Sequence, residues 1–163
     1  MTAGEQSLLG AEACREIDRW IAKYPPEQKR SAVMAALRIA QEQHGWLSTE
    51  LMDAVADYLD MDKISVYEVA TFYTMYDLQP VGKHKISVCT NISCMLRGSD
   101  KVMEHLKKRL GVSPGETTAD GRFMFKEVEC LAACAGAPMA QVDKAYYEDL
   151  TPEKLDAILD GLD

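Results

Sequence analysis

The sequence predicts an α+β protein, in which an N-terminal helical bundle domain at residues 1–80 precedes a compact α/β domain at residues 81–163. Apolar residues recur every three or four positions through the first half, as on the buried face of a helix. After the turn-rich stretch that begins at Pro80, apolar and polar residues alternate, which is typical of a strand. With 163 residues and 47% hydrophobic content, the chain can bury a core.

Four segments of the first half have the pattern of helices. Pro25-Pro26 favours a helix start, and Gly45 suits the end of that helix. Ser65 and Glu68 form a capping-box pattern, in which each side chain satisfies a free backbone N–H near the other, so the last helix of this half is expected at 66–76. The segments are 11–23, the stretch from Pro25-Pro26 to Gly45, the stretch around 51–59, and 66–76.

The second half has the pattern of a strand, a helix, further strands and a last helix. Ser99 is expected to cap a helix that ends at Gly111, and Asp120-Gly121 is a turn signal before a strand. Thr151-Pro152 is a helix start. The predicted elements are a strand at 85–89, a helix at 99–110, a strand near 123–128, a hairpin at 139–147 and a last helix from 152.

Composition and missing motifs exclude several classes of function. A formal charge of −8 would repel the phosphates of nucleic acid. The sequence shows no signal-peptide pattern and no apolar run of about 18 residues, so we expect a soluble intracellular protein that does not insert into a membrane. It also has no Walker loop, no G-x-G-x-x-G and no nucleophile elbow, so no catalytic residues are predicted.

Two pairs of cysteines form the main candidate site. Cys89 and Cys94 enclose four residues, Cys130 and Cys134 enclose three, and each pair is expected in a loop just after a strand. Loops at the same ends of neighbouring strands can lie side by side, so the four thiolates can surround one centre. The small residues at 132–137 would let backbone N–H groups approach sulfur. The pattern favours a [2Fe-2S] cluster, with Cys89, Cys94, Cys130 and Cys134 as both metal ligands and cofactor-binding residues.

Other uses of these cysteines remain open at this stage. A structural zinc site also takes four cysteine ligands, although zinc ribbons usually enclose two residues between paired ligands. A thiol–disulfide site is disfavoured because no pair encloses two residues. Four separately buried cysteines would be poorly placed at loop tips.

The sequence resembles, over nearly its whole length, the family of E subunits of NADH:quinone oxidoreductase, the respiratory complex I. These are small [2Fe-2S] proteins that are also found as components of NAD-linked hydrogenases and formate dehydrogenases. One departure is Ala132, where the family often has Gly. The likeness rests on Gly45-Trp46-Leu47, the stretch from Glu68 to Met75, Pro80-Val81-Gly82-Lys83, the stretch from Cys89 to Arg97, Asp120-Gly121-Arg122-Phe123, and the stretch from Glu129 to Met139.

The resemblance implies a helical domain followed along the chain by a thioredoxin-like [2Fe-2S] domain. It also implies that the helical domain contacts a partner, the F-type subunit that binds FMN and NADH. It implies one-electron exchange between the cluster and that flavin, and contact with other peripheral-arm subunits. No turnover is expected from this chain alone, which is an oxidoreductase component without a nucleotide site. The expected location is cytoplasmic, peripheral on the inner membrane through the complex. The alternative parent is an NAD-linked hydrogenase or formate dehydrogenase.

Several further residues have expected roles outside the cysteine pairs. Cys14 lies on a helix and is expected to pack rather than bind metal. The aromatic and sulfur side chains at 72–76 suggest core or subunit packing, and we expect an interface. Arg97 could offset the negative charge of a cluster or form a surface ion pair. His44, His84 and His105 show no carboxylate pattern and are expected at the surface.

Overall fold

A computed structural model describes residues 8–162, so the first seven residues of the predicted helical domain and residue 163 lie outside the described part. The chain divides into two compact units, one ending at Pro80 and one beginning at Val81. We describe each unit separately. That the two units are independent domains stays a prediction.

The helical unit contains four α-helices packed around one apolar core. Ile17, Leu37 and Val55 are all 0% exposed in this core, which confirms the periodicity of the sequence. Ser48 caps the third helix by accepting a hydrogen bond from the N–H of Leu51 at 3.2 Å. The helices are α1 (Ala11–Ile21), α2 (Val33–His44), α3 (Thr49–Leu59) and α4 (Lys63–Phe72).

Two helix starts differ from the expectation. The segment Pro26–Ala32 is a 3-10 helix with a non-helical residue at Gln28, and α2 begins only at Val33. The residues between the prolines and Ala32 are all polar, so they supply no apolar stripe to hold regular α-helical turns against the core. The Ser65 capping box is also wrong, because Asp62 occupies the N-cap and Ser65 lies within the first turn of α4.

The last helix of this unit ends earlier than expected, at Phe72 rather than Tyr76. Tyr73 takes an extended conformation with φ −92° and ψ 117°. This exit lets Tyr76 turn into the core, where it is 6% exposed and its hydroxyl donates to the carbonyl of Met34 at 2.9 Å. Burial of that ring raises its pKa to about 12.

The α/β unit is built on a four-stranded mixed sheet with the order β2-β1-β3-β4. The strands β1 and β2 are parallel, and β3 is antiparallel to both β1 and β4. A parallel pair needs a crossover connection, which α5 and α6 supply. The elements are β1 (His84–Cys89), α5 (Ile92–Leu96), α6 (Ser99–Leu110), β2 (Phe123–Val128), β3 (Ala140–Val142), β4 (Ala145–Tyr147) and α7 (Pro152–Asp160).

The predicted strands and the predicted ends of the longer helices are confirmed in this unit, but two details are not. Gly111 ends α6 with a left-handed φ of 70°, and Thr151 caps α7 as expected. The sequence did not predict α5. Ser99 is also not an N-cap, because Gly98 takes that position with φ 96° and Ser99 becomes the first residue of α6, fully buried.

A close approach explains one glycine at the start of this unit. A Cβ atom on Gly82 would lie 2.7 Å from the backbone carbonyl carbon of Phe123, so no larger residue fits beside the start of β2.

The described residues confirm the predicted α+β class, with seven α-helices and one sheet. None of the helices described is long and apolar enough to span a membrane.

Candidate metal centre

The two cysteine pairs leave the sheet at the same edge. The strands β1 and β2 run parallel with Cys89 opposite Val128, so the chain after each strand continues from the same side. The N–H of Thr90 bonds the carbonyl of Val128 at 3.2 Å, and its hydroxyl bonds the carboxylate of Glu127 at 2.8 Å. The parallel register therefore holds the two cysteine-bearing segments next to each other.

The first pair is buried. Cys89 is the last residue of β1 and is 4% exposed, while Cys94 lies on α5 and is 2% exposed. Asn91 starts that short helix, and its side chain accepts from the N–H of Ile92 at 2.8 Å. Cys94 therefore lies on a helix rather than in a loop, because the N-cap turns the chain immediately after β1 and directs the Cys94 side chain inward.

The second pair is exposed and lies on irregular backbone. Cys130 follows β2 by two residues, and Cys134 begins a 3-10 turn that ends at Gly136. Between them, Ala132 has a left-handed φ of 59°, and its N–H points to the sulfur of Cys130 at 3.3 Å. A Cβ on Gly136 would lie 2.5 Å from the Cβ of Glu148, so only glycine fits at the end of this turn.

A third segment completes the centre from the side of β3. The peptide bond between Ala137 and Pro138 is cis. The next residue, Met139, accepts a hydrogen bond at its carbonyl from the N–H of Cys89 at 3.2 Å. Ala137 and Met139 form a small apolar cluster with Cys89 and Cys94, which keeps water from the first pair.

The pKa values of the two cysteines of the first pair shift in opposite directions. Burial raises the pKa of Cys89, but hydrogen bonds from the N–H groups of Asn91 and Leu131 and from the thiols of Cys94 and Cys130 outweigh burial and lower that pKa overall. Burial and the neighbouring Cys89 sulfur raise the pKa of Cys94, and the N–H of Met139 opposes this rise only in part. The backbone around the first pair thus supplies hydrogen-bond donors to both sulfurs.

The causes of these pKa shifts connect all four cysteines. The thiols of Cys94 and Cys130 reach the sulfur of Cys89, and Cys134 contributes an electrostatic effect at Cys94. Within residues 8–162, no three His, Cys, Asp or Glu side chains are grouped so that they could hold one metal ion. A [2Fe-2S] cluster divides four thiolates between two irons, so it needs two pairs of ligands rather than a group of three.

The donor set fits such a cluster. Backbone N–H groups at Asn91, Leu131, Ala132 and Met139 point to cysteine sulfurs, and iron–sulfur centres use such donors to stabilise charge on sulfur. Sequence reasoning expected N–H groups near sulfur only from the small residues at 132–137. It missed the N–H group of Asn91, although an Asn at this position is an ordinary N-cap signal for the short helix that follows. It also missed the N–H groups of Leu131 and Met139, for which the sequence carries no signal.

The other cysteine and two of the histidines have contacts of their own. Cys14 packs against the core of the helical unit, and its thiol donates to the carbonyl of Leu9 at 3.5 Å, as expected of a packing residue. His84 and His105 are partly buried, so the expectation of surface histidines without carboxylate partners is wrong for both. Their rings lie 2.8 Å from Asp143 and Asp156, respectively, which are too distant in sequence for any spacing to reveal.

The remaining candidates are exposed. Phe72, Tyr73 and Met75 are 76%, 39% and 46% exposed, whereas Tyr76 belongs to the core. His44 is exposed as expected, and its ring contacts the carbonyl of Leu8 at 2.8 Å. Arg97 is exposed one residue after α5. These positions leave the predicted interface at 72–75 available to a partner.

Comparison with known proteins gives consistent matches. The model of the thioredoxin-like [2Fe-2S] ferredoxin family matches residues 17–163. The E subunit of NADH-quinone oxidoreductase from Rickettsia bellii is 52% identical over 143 residues, which cover 87% of this chain and 86% of that protein. The E 2 subunit of NADH-quinone oxidoreductase from Rhizobium meliloti is 45% identical over 146 residues, covering 90% and 86%.

Solved structures share the fold. An NAD+-reducing [NiFe]-hydrogenase in the air-oxidized state superposes with a TM-score of 0.69 at 20% identity. The match covers 78% of this chain but only 22% of the hydrogenase chain, so this chain spans about a fifth of that one. At this identity the likeness concerns the fold alone.

Proposed function

The chain belongs to the thioredoxin-like [2Fe-2S] ferredoxin family, and from this premise we propose that it is the electron-transferring E subunit of an NADH:quinone oxidoreductase. The family confirms the predicted [2Fe-2S] cofactor and the predicted thioredoxin-like fold class. The observation that carries the proposal is the meeting of two cysteine pairs at one sheet edge, with N–H donors already directed at their sulfurs.

In this proposal Cys89, Cys94, Cys130 and Cys134 hold the cluster, which supplies one-electron redox chemistry when bound. Cys89 and Cys94 provide ligands from the buried side, and Ala137 and Met139 exclude water there. Cys130 and Cys134 provide the exposed side, through which an electron can enter and leave. The N–H groups stabilise the charge that reduction adds to sulfur.

We propose that the partner is the FMN- and NADH-binding component of the same complex. Three large apolar side chains of α5 are exposed beside the buried Cys94: Ile92 at 66%, Met95 at 48% and Leu96 at 76%. An exposed apolar surface next to an electron-transfer site suits a protein interface, and the exposed Phe72, Tyr73 and Met75 suit a second contact. Other peripheral-arm subunits would contact the remaining surface, and neither nucleic acid nor the membrane is a proposed partner.

This role requires no substrate chemistry from the chain itself. The chain would contribute to an oxidoreductase as a component that binds no nucleotide and shows no turnover alone. We place it on the cytoplasmic face of the inner membrane, held there through the complex. The runner-up is the equivalent component of an NAD-linked hydrogenase or formate dehydrogenase. The relatives at 45% and 52% identity favour the respiratory enzyme, because the hydrogenase likeness concerns fold alone.

The test is anaerobic purification of the full chain, followed by iron and acid-labile sulfide counts and EPR. We expect about two irons and two sulfides per chain, no EPR signal when oxidised and a rhombic signal after reduction. NADH should produce the same signal once the flavin-bearing partner is added. A colourless protein with one zinc, or one that shows only a reversible disulfide, would overturn the proposal.

A further inference from the structure

Ser99 has a buried hydroxyl that the protein does not satisfy. Its side chain is 0% exposed, and among residues 8–162 its Oγ is the one buried side-chain oxygen or nitrogen without a hydrogen-bond partner. Leaving a buried hydroxyl without a partner destabilises the folded protein. A polar group kept at such a cost calls for a physical explanation.

The topology places Ser99 at the cysteine-bearing edge of the sheet. The parallel strands β1 and β2 are joined through α6, so α6 must run back from the carboxyl end of β1 toward the start of β2. The first turn of α6 therefore lies at the end of β1 that carries Cys89. Ser99 follows Cys94 by five residues, after one short helix and a left-handed Gly98.

The side chain of Ser99 also lies on the sheet-facing side of α6. The buried residues of this helix are Ser99, Val102 and Leu106, spaced by three and four positions on one face. Val102 and Leu106 pack against β1 in the core of the unit. Ser99 continues that face toward the cysteines, so its hydroxyl lies inside the protein at the end where the cluster would be held.

We propose that Ser99 donates a hydrogen bond from its hydroxyl to a sulfur of the bound cluster, and that this bond raises the reduction potential of the cluster. The inference rests on the proposed [2Fe-2S] site. An all-thiolate cluster carries a charge of about −2 when oxidised and about −3 when reduced. A donor to sulfur stabilises the more negative state more, so it favours reduction. The same bond would satisfy the buried hydroxyl.

The test compares the potential of the loaded full chain with that of Ser99→Ala. Ala removes the hydroxyl from a helical position without adding volume, so folding should be preserved. We expect the equilibrium for one-electron reduction to fall about tenfold, which is a shift of about 59 mV to more negative potential. ENDOR spectra of the reduced protein in D2O and H2O should lose one exchangeable proton coupling.

Ser113→Ala is the matched control, because Ser113 lies beyond the other end of α6. That variant should keep the wild-type potential, and Ser99→Thr, which retains a hydroxyl, should recover most of the loss. An unchanged potential and an unchanged set of proton couplings in Ser99→Ala would overturn the inference while leaving the cluster assignment intact. A wild-type chain that binds no cluster would instead overturn the proposed function.

Discussion

The helical unit that ends at Pro80 and the α/β unit that begins at Val81 use irregular backbone for different purposes. In the helical unit the left-handed residues Gly45 and Asp60 end helices, where such conformations are common. In the α/β unit the left-handed Ala132 points its N–H to a cysteine sulfur, and Gly136 allows a close approach of Glu148. Left-handed residues end helices in both units, as Gly111 does for α6, but the α/β unit also uses irregular backbone to direct a donor to a cysteine sulfur and to make room beside Cys134.

The largest expected difference concerns the cysteines. Cys130→Ser should lower the bound iron below about two atoms per chain or change the EPR spectrum, because serine replaces a thiolate ligand with a poorer oxygen ligand. Iron and sulfide assays together with EPR measure this change. Cys14→Ser in the helical unit should retain full iron and an unchanged spectrum, since Cys14 packs against the core of that unit and its thiol donates to the carbonyl of Leu9. A wild-type EPR spectrum from Cys130→Ser would remove Cys130 from the ligand set.

The contrast between regular and irregular backbone also explains how much of the structure could be predicted from the sequence. The apolar period predicted α1 and α3 closely, the alternation of apolar and polar residues predicted β1, and the strand expected after the Asp120-Gly121 turn signal is β2 at Phe123–Val128. These elements follow from which side chains must be buried. The start of α2 and the end of α4 depend on tertiary contacts, as the burial of Tyr76 illustrates. Cysteine spacing indicated the candidate site, but the donors at Leu131 and Met139 come from the backbone, which any residue can supply.

Core substitutions test whether the two units fold as separate domains. Leu37→Ala in the helical unit and Leu155→Ala in the α/β unit remove the same atoms from sites that are both 0% exposed. Each should lower the free energy of unfolding by about 2–5 kcal/mol, through lost burial and the cavity left behind. Denaturant unfolding followed by far-UV circular dichroism and by the visible absorption of the cluster measures both effects.

If the two units fold separately, Leu155→Ala should shift the loss of cluster absorption to a lower denaturant concentration. Leu37→Ala should leave that loss unchanged and shift only a transition that is seen by circular dichroism. If both variants shift both signals equally, the chain unfolds as one cooperative unit and the prediction of two domains at 1–80 and 81–163 is wrong.

Gly136→Ala should have the next largest effect. Its new Cβ would lie 2.5 Å from the Cβ of Glu148, so the turn after Cys134 must shift. We expect a loss of about 1–3 kcal/mol in the free energy of unfolding, as for other overpacked sites. Gly161→Ala is the control in the same unit, because its Cβ would stay at least 3.4 Å from its neighbours and its φ of −85° suits alanine. Equal stability of the two variants in thermal melts would contradict the close packing at Gly136.

A smaller effect of opposite sign is expected at Ala132. The left-handed conformation costs a non-glycine residue about 1–2 kcal/mol, and glycine avoids this cost while losing more entropy on folding. Ala132→Gly should therefore raise the free energy of unfolding by about 0.5 kcal/mol. Ala133 has a φ of −109°, so Ala133→Gly should lower that free energy by about 0.5–1 kcal/mol. Chemical denaturation of the two variants gives the comparison, and two changes of the same sign would contradict it.

The smallest expected effects come from one carboxylate in each unit. A hydrogen bond from Lys63 holds the pKa of Asp53 below its ordinary value in the helical unit, and one from His105 does the same for Asp156 in the α/β unit. A lowered folded pKa means that the unfolded chain binds the proton more readily. The stabilisation is therefore present above the ordinary Asp range and is lost as the pH falls below about 4 through the lowered pKa. Asp53→Asn and Asp156→Asn should each flatten this acid limb of stability.

Denaturation midpoints of both variants and of the wild type, measured as the pH falls through the ordinary Asp range, check this prediction. Asp156 has a second partner, because Arg109 lies 3.3 Å from its carboxylate. An acid limb as steep in Asp156→Asn as in the wild type would mean that neither contact of Asp156 stabilises the α/β unit, and the same result for Asp53→Asn would exclude the contact with Lys63 as a source of stability.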